Sequence, residues 1–182
     1  MITLNMLNRI AKLQSADSPP EMLLSWLSHP FSLTEKLKNE RGEAVLTVLR
    51  QEWDACSWWD RCVLGLMDNP VMHREILMTA QNKPCWYART IIPHSCYERG
   101  DLFFKRLEHE SLGVIVFSNP AIKRECIIYY PINSSFLEYY WLPPHLREEN
   151  EDLWIRLSLF SLQKTFFCLI EILLPELLRI RN

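Results

Sequence analysis

The chain has 182 residues, 48% hydrophobic, 12% aromatic and 23% charged, with a formal net charge of −2. This is the composition of one soluble folded domain, here taken as residues 1–182, and a chain of this length hides roughly 70% of its unfolded surface, enough for a core that encloses a ligand pocket. The absence of any Lys/Arg run argues against a dedicated nucleic-acid binder and against a polybasic membrane anchor.

Glycine and histidine remove further classes. The four glycines, Gly42, Gly65, Gly100 and Gly113, are too scattered for a dinucleotide-binding or P-loop motif. The five histidines form no H-x-x-x-H pair and flank no C-x-x-C, so the expectation is neither a metal nor a nucleotide cofactor. The six cysteines are irregularly spaced, and Cys85 and Cys168 lie in apolar runs, which suits reduced thiols packed as small hydrophobes. The N-terminal stretch lacks a continuous apolar region, and the greasiest run, TFFCLIEILLPELL, is short and carries Glu171 and Pro175. A cytoplasmic protein without stable membrane insertion is therefore expected.

In chain order, residues 21–28 follow Ser18-Pro19-Pro20 and predict a short amphipathic helix with a proline start. Ser32 with Glu35 three residues later forms a capping-box pattern, opening a second helix that stops between Asn39 and Gly42. Residues 43–53 are rich in β-branched and aromatic side chains and predict a strand. A hairpin follows, HREILMTA and CWYARTIIP around a four-residue turn QNKP, and the same grammar recurs as WIRLSLFS and TFFCLIEILLP around LQK. Between the hairpins lie a short helix over 101–108, the apolar segment 112–117 and a strand over 123–130. The stretch 131–152, with Pro143-Pro144 and an acidic run, is expected to be a surface insertion. The pattern predicts an α+β fold with a single antiparallel sheet and helices gathered outside it.

Three charges stand where an apolar interior is predicted. Both alternating sets of FFCLIEILLP are apolar, so Glu171 lies in a strand buried on both faces. Burying an ionised carboxylate costs several kcal/mol, roughly, unless it is paired. Either a neighbouring arginine pairs it, or it serves a ligand. Arg74 and Arg89, in the two strands of the first hairpin, pose the same question. Two guanidiniums and one carboxylate in one interior leave a positive charge unanswered unless Glu75 turns inward or an anion completes the set. An enclosed pocket for a small carboxylate follows. The aromatic pairs Trp58-Trp59, Tyr129-Tyr130 and Tyr139-Tyr140 lack interleaved basic residues, so they are read as packing rather than a base-stacking platform.

The run REILMTAQNKPCWYARTIIP resembles the signature of the chorismate lyase family (chorismate pyruvate-lyase, 4-hydroxybenzoate synthase). The resemblance extends through SLTEKL, LTVLRQEW, LGVIVF, Arg124 and LWIRLSLF to EILLP, in order, over most of the chain. It implies an antiparallel sheet with helices on one side and helical flaps over an internal ligand site. It further implies a monomeric, cofactor-independent lyase that converts chorismate to 4-hydroxybenzoate and pyruvate at the first committed step of ubiquinone biosynthesis. Carried over residue by residue, the resemblance places the ring-carboxylate arginine on Arg74, a second site arginine on Arg89 and the carboxylate that meets the ring hydroxyl on Glu171. Backbone contacts to the ligand fall on Leu33 and Leu112. Ala88 stands where glycine is common and Leu33 where methionine is frequent, both compatible with a reshaped pocket. The rival expectation is a non-catalytic domain of the same fold that binds small aromatic acids.

Overall fold

The computed structural model describes residues 2–14, 16–147 and 152–180. In chain order the elements are α1 (Ile2–Ala11), α2 (Glu21–Leu27), α3 (Leu33–Arg41), β1 (Val45–Asp54), a π-helical turn (Asp60–Leu64), β2 (Val71–Ala80), β3 (Lys83–Pro93), α4 (His94–Arg99) and α5 (Asp101–Phe104). After a 3-10 turn (Lys105–Glu108) come α6 (Leu112–Ser118), β4 (Ile122–Ile132), two further 3-10 turns (Leu137–Trp141, Pro144–Leu146), β5 (Leu153–Leu162), β6 (Thr165–Leu173) and α7 (Glu176–Arg179).

The strands form one open antiparallel sheet in the order β1-β2-β3-β6-β5-β4. Both hairpins are tighter than their sequences suggest. Gln81 and Asn82 take φ of 50° and 59°, and Gln163 and Lys164 take 46° and 70°, so each pair makes a two-residue turn in the left-handed backbone region, whose twist matches the right-handed twist of the strands. Ser32 caps α3 by accepting a hydrogen bond from the Glu35 backbone N–H, and Gly42 ends the helix at φ 80°, as the capping-box pattern predicts.

Alternation along the strands divides the sheet into two buried faces. On one, α2 to α7 gather over a cluster that includes Trp26, Leu37, Trp86, Phe104, Phe160 and Phe167. On the other, α1 contributes Met6 and Ile10 to a cluster with Trp59, Tyr87, Ile91 and Ile170. Helices thus collect mainly on one side, and the second face is also covered. The described part of 131–152 contributes to that second cover. Tyr139 and Leu142 are buried there, and buried Glu138 accepts hydrogen bonds from Trp59 Nε1 (2.8 Å) and the Tyr130 hydroxyl (3.2 Å). Apolar faces of a sheet need such covering, and this stretch supplies it. Among the described residues no helix is long and apolar enough to cross a membrane.

Candidate active site

Two helix starts meet the sheet at one place. α3 opens at Leu33 behind the Ser32 cap, and α6 opens at Leu112 behind Ser111, whose hydroxyl accepts from the Val114 N–H. They approach closely because position 113 has no side chain: a Cβ there would lie 2.6 Å from Ser32 Oγ. Between these helix starts and the sheet is a cavity lined by, among others, Leu33, Leu112, Arg124, Arg156, Phe160 and Glu171. Its volume is about 20 Å³, room for about one water.

Glu171 on β6 is ion-paired with Arg156, its direct register partner on β5, and both are buried. The other terminal nitrogen of Arg156 donates to the carbonyls of His29 (2.7 Å) and Phe31 (3.3 Å), so this arginine also ties the α2–α3 connection to the sheet. Arg124 on β4 donates to the Pro30 carbonyl at 2.5 Å and lies under the rings of Phe117 (4.7 Å) and Phe160 (5.1 Å). Burial, reinforced by the charge of Arg156, pushes the Arg124 guanidinium down to about 10, with Glu171 acting in the opposite direction.

Arg74 on β2 is 1% exposed and has no carboxylate within 4 Å among the described residues. Its Nε donates to Gln51 (3.0 Å) and its Nη2 to the Glu110 carbonyl (3.1 Å), two residues before α6. Burial alone pushes this guanidinium down to about 10. A buried cation whose only partners are neutral oxygens is a place where an anion would be stabilised strongly.

Leu33, Leu112 and Glu171 therefore converge on one cavity, and Arg74 stands on the same face, joined to the segment that opens α6. Arg89 does not join them. It projects from the opposite face, with its Nη1 3.7 Å from Glu75 and its guanidinium 4.6 Å from the Trp141 ring centre. The reason is a register irregularity. Counted back from the turn pair Ala80–Lys83, Arg74 would oppose Arg89, but the irregularity at Met78/Thr79 adds one residue to β3, so Thr90 opposes Arg74 and Glu75 opposes Arg89. A one-residue shift moves a strand's side chains to the other face. The sequence reading also missed Arg156, although LWIRLSLF displays a charge inside an apolar run just as FFCLIEILLP does. Among the described residues no group of three His, Cys, Asp or Glu side chains could hold a metal ion.

The chain is 31% identical over 170 residues to a probable chorismate pyruvate-lyase of Psychromonas ingrahamii, covering 90% of each protein. It is 30% identical over 150 residues to one of Pseudoalteromonas translucida, covering 82% of each. Its architecture is similar to the C-terminal domain of the histidine utilization repressor from Pseudomonas syringae pv. tomato (TM-score 0.56, 11% identity, 77% of this chain and 97% of that one). It is also similar to the effector domain of PhnF from Mycobacterium smegmatis (TM-score 0.51, 13% identity, 80% and 90%). At those identities the likeness is one of fold alone. The chorismate lyase family model matches residues 6–180, nearly the whole described chain. With its six-stranded antiparallel sheet, its covered cavity and these relatives, the chain belongs to the chorismate lyase family.

Proposed function

We propose that this protein converts chorismate to 4-hydroxybenzoate and pyruvate without a cofactor, as a cytoplasmic monomer serving the first committed step of ubiquinone biosynthesis. The observation that carries the proposal is Arg74: a buried guanidinium without an acid partner among the described residues, on the sheet face that also presents Glu171. In this reading Arg74 holds the ring carboxylate through a charge-assisted pair, and Glu171 accepts a hydrogen bond from the ring hydroxyl at C4. Leu33 and Leu112 offer backbone groups at the starts of α3 and α6.

The reaction balances within the substrate. The C4–H bond breaks and its electrons form the new ring double bond, while the C3–O bond breaks toward the three-carbon group. The resulting enolate takes one proton at its methylene to become pyruvate. Fixing the ring at one end and the hydroxyl at the other holds the substrate in the reacting geometry. Chorismate needs far more room than about 20 Å³, so binding involves displacement of the cover. Phe31 and Phe117 meet edge to face over this region with ring centres 6.0 Å apart, and both are exposed. Parting them opens the cavity, and reclosure excludes water.

Incubating purified protein with chorismate and coupling released pyruvate to lactate dehydrogenase tests the proposal. Stoichiometric appearance of pyruvate and 4-hydroxybenzoate is expected. Binding of 4-hydroxybenzoate with no pyruvate release would instead favour a non-catalytic aromatic-acid binding domain.

A further inference from the structure

The charges around the cavity do not cancel. Arg74, Arg124 and Arg156 share the helix-covered face with a single carboxylate among these four groups, Glu171, and that carboxylate is taken by Arg156. Arg124 has no ion pair with any described carboxylate; its Nη1 donates to the backbone carbonyl of Pro30. Among the described residues, three buried polar atoms in this corner lack a hydrogen-bond partner: Arg124 Nε, Arg156 Nε and Ser158 Oγ. They lie on the adjacent strands β4 and β5, with Ser158 between Arg156 and Phe160, two residues that line the cavity. Unsatisfied buried donors are uncommon in native interiors, and a cluster of them beside a void that Arg124 and Arg156 line marks a place where an acceptor is missing.

The helix α6 acts as a ruler between the two unpaired cations. Arg74 holds the Glu110 carbonyl just before its first turn, whereas Arg124 packs under Phe117 near its last residue. Seven residues of α-helix span about 10 Å. Two guanidiniums that bracket such a length suit the two carboxylates of one compact dianion.

We infer that Arg124 is the second carboxylate anchor of the site, binding the three-carbon side arm of the substrate while Arg74 binds the ring carboxylate. This rests on the lyase reading above and assigns to Arg124 the part that the register of β3 denies to Arg89. Arg156 Nε and the Ser158 hydroxyl complete the anchor as neighbouring donors. The incoming carboxylate restores the charge balance that burial makes unfavourable in the free protein, where the Arg124 guanidinium is pushed down to about 10. The leaving pyruvate carries this carboxylate away, so Arg124 discriminates between substrate and aromatic product.

Arg124→Met, Arg124→Lys and Arg74→Met are compared with the wild type for pyruvate release from chorismate and, by calorimetry, for binding of chorismate and of 4-hydroxybenzoate. Arg124→Met should lower kcat/KM for chorismate by about 100-fold while leaving the Kd for 4-hydroxybenzoate within about threefold of wild type. Arg124→Lys, which keeps the charge and serves if the methionine variant fails to fold, should lie between them. Arg74→Met should weaken both ligands. The anchor assignment is overturned if Arg124→Met or Arg124→Lys loses 4-hydroxybenzoate as severely as chorismate, or if Arg124→Met turns over chorismate at the wild-type rate. Wild-type protein that binds chorismate but releases no pyruvate would sink the lyase reading alone, and the two ligands' affinities in the Arg124 variants would still decide the anchor. Wild-type protein that binds neither ligand would overturn both.

Discussion

Glu171 and Arg156 face each other across adjacent strands at the floor of the cavity, a buried carboxylate and a buried guanidinium joined in an ion pair. The pair does two jobs through one residue. Arg156 neutralises Glu171 and with its other nitrogen holds the carbonyls of His29 and Phe31, so the acid is coupled to the segment that covers the site. Removing either partner strands the other in the interior, whereas shortening the hydrogen-bonding capacity alone does less.

Glu171→Gln should therefore fold with a modest loss of stability and release pyruvate at least roughly 100-fold more slowly, because a neutral amide no longer balances Arg156 beside the substrate hydroxyl. Arg156→Met should cost about 3–5 kcal/mol in urea unfolding, since it leaves Glu171 unpaired and frees the α2–α3 connection. Combining both changes should cost less than their sum, and strict additivity in the double-mutant cycle would show that the pair is not energetically coupled.

Arg74 makes a pH prediction. Its guanidinium is held down to about 10 in the folded free protein by burial. A base depressed by folding binds fewer protons in the folded than in the unfolded chain above about pH 10, so its contribution to stability rises with pH there; below that window its desolvation cost is fully present. Anion binding has the opposite dependence. Benzoate affinity should stay flat from about pH 6 to 9 and weaken as pH rises through about 10, as the cation that attracts it is lost. Arg74→Met should remove this alkaline limb from the titration of benzoate binding by calorimetry.

Arg89 belongs to the opposite face, so its substitution should read out differently. Arg89→Met removes a cation 4.6 Å from the Trp141 ring centre and 3.7 Å from Glu75. The expected cost is about 1–2 kcal/mol of stability, chiefly the lost contact with the aromatic ring. Its effect on 4-hydroxybenzoate affinity should be smaller than that of Arg74→Met, and a larger effect would place Arg89 in the ligand site despite its register.

Gly113 sets the spacing of the two helix starts. Gly113→Ala places a methyl group 2.6 Å from Ser32 Oγ, so α6 must withdraw from α3 or Ser32 must turn and abandon its cap. Either route should cost about 1–3 kcal/mol by thermal or urea unfolding. Adding Ser32→Ala should return part of the loss, because the closest atom is gone although the Ser32 Cβ remains 3.1 Å away.

The local sequence settled much of this molecule. A proline start, a capping box and apolar runs separated by turn residues specified α2, α3, β1 and the two hairpins, though not the two-residue length of the turns, because these features depend on neighbours a few residues apart. Glu171 and Arg74 were legible as site candidates for a similar reason: a charge inside a strand with two apolar faces is costly whatever the tertiary arrangement. What the sequence could not decide was which charges meet. The single extra residue in β3 turns Arg89 away from Arg74, the pairing of β5 with β6 brings Arg156 to Glu171, and the crossing of α6 over the sheet sets Arg74 and Arg124 at its two ends. Side-chain facing in a sheet depends on register summed over every irregularity between two positions, and contacts between distant strands depend on their order in the sheet. Only the folded chain holds both.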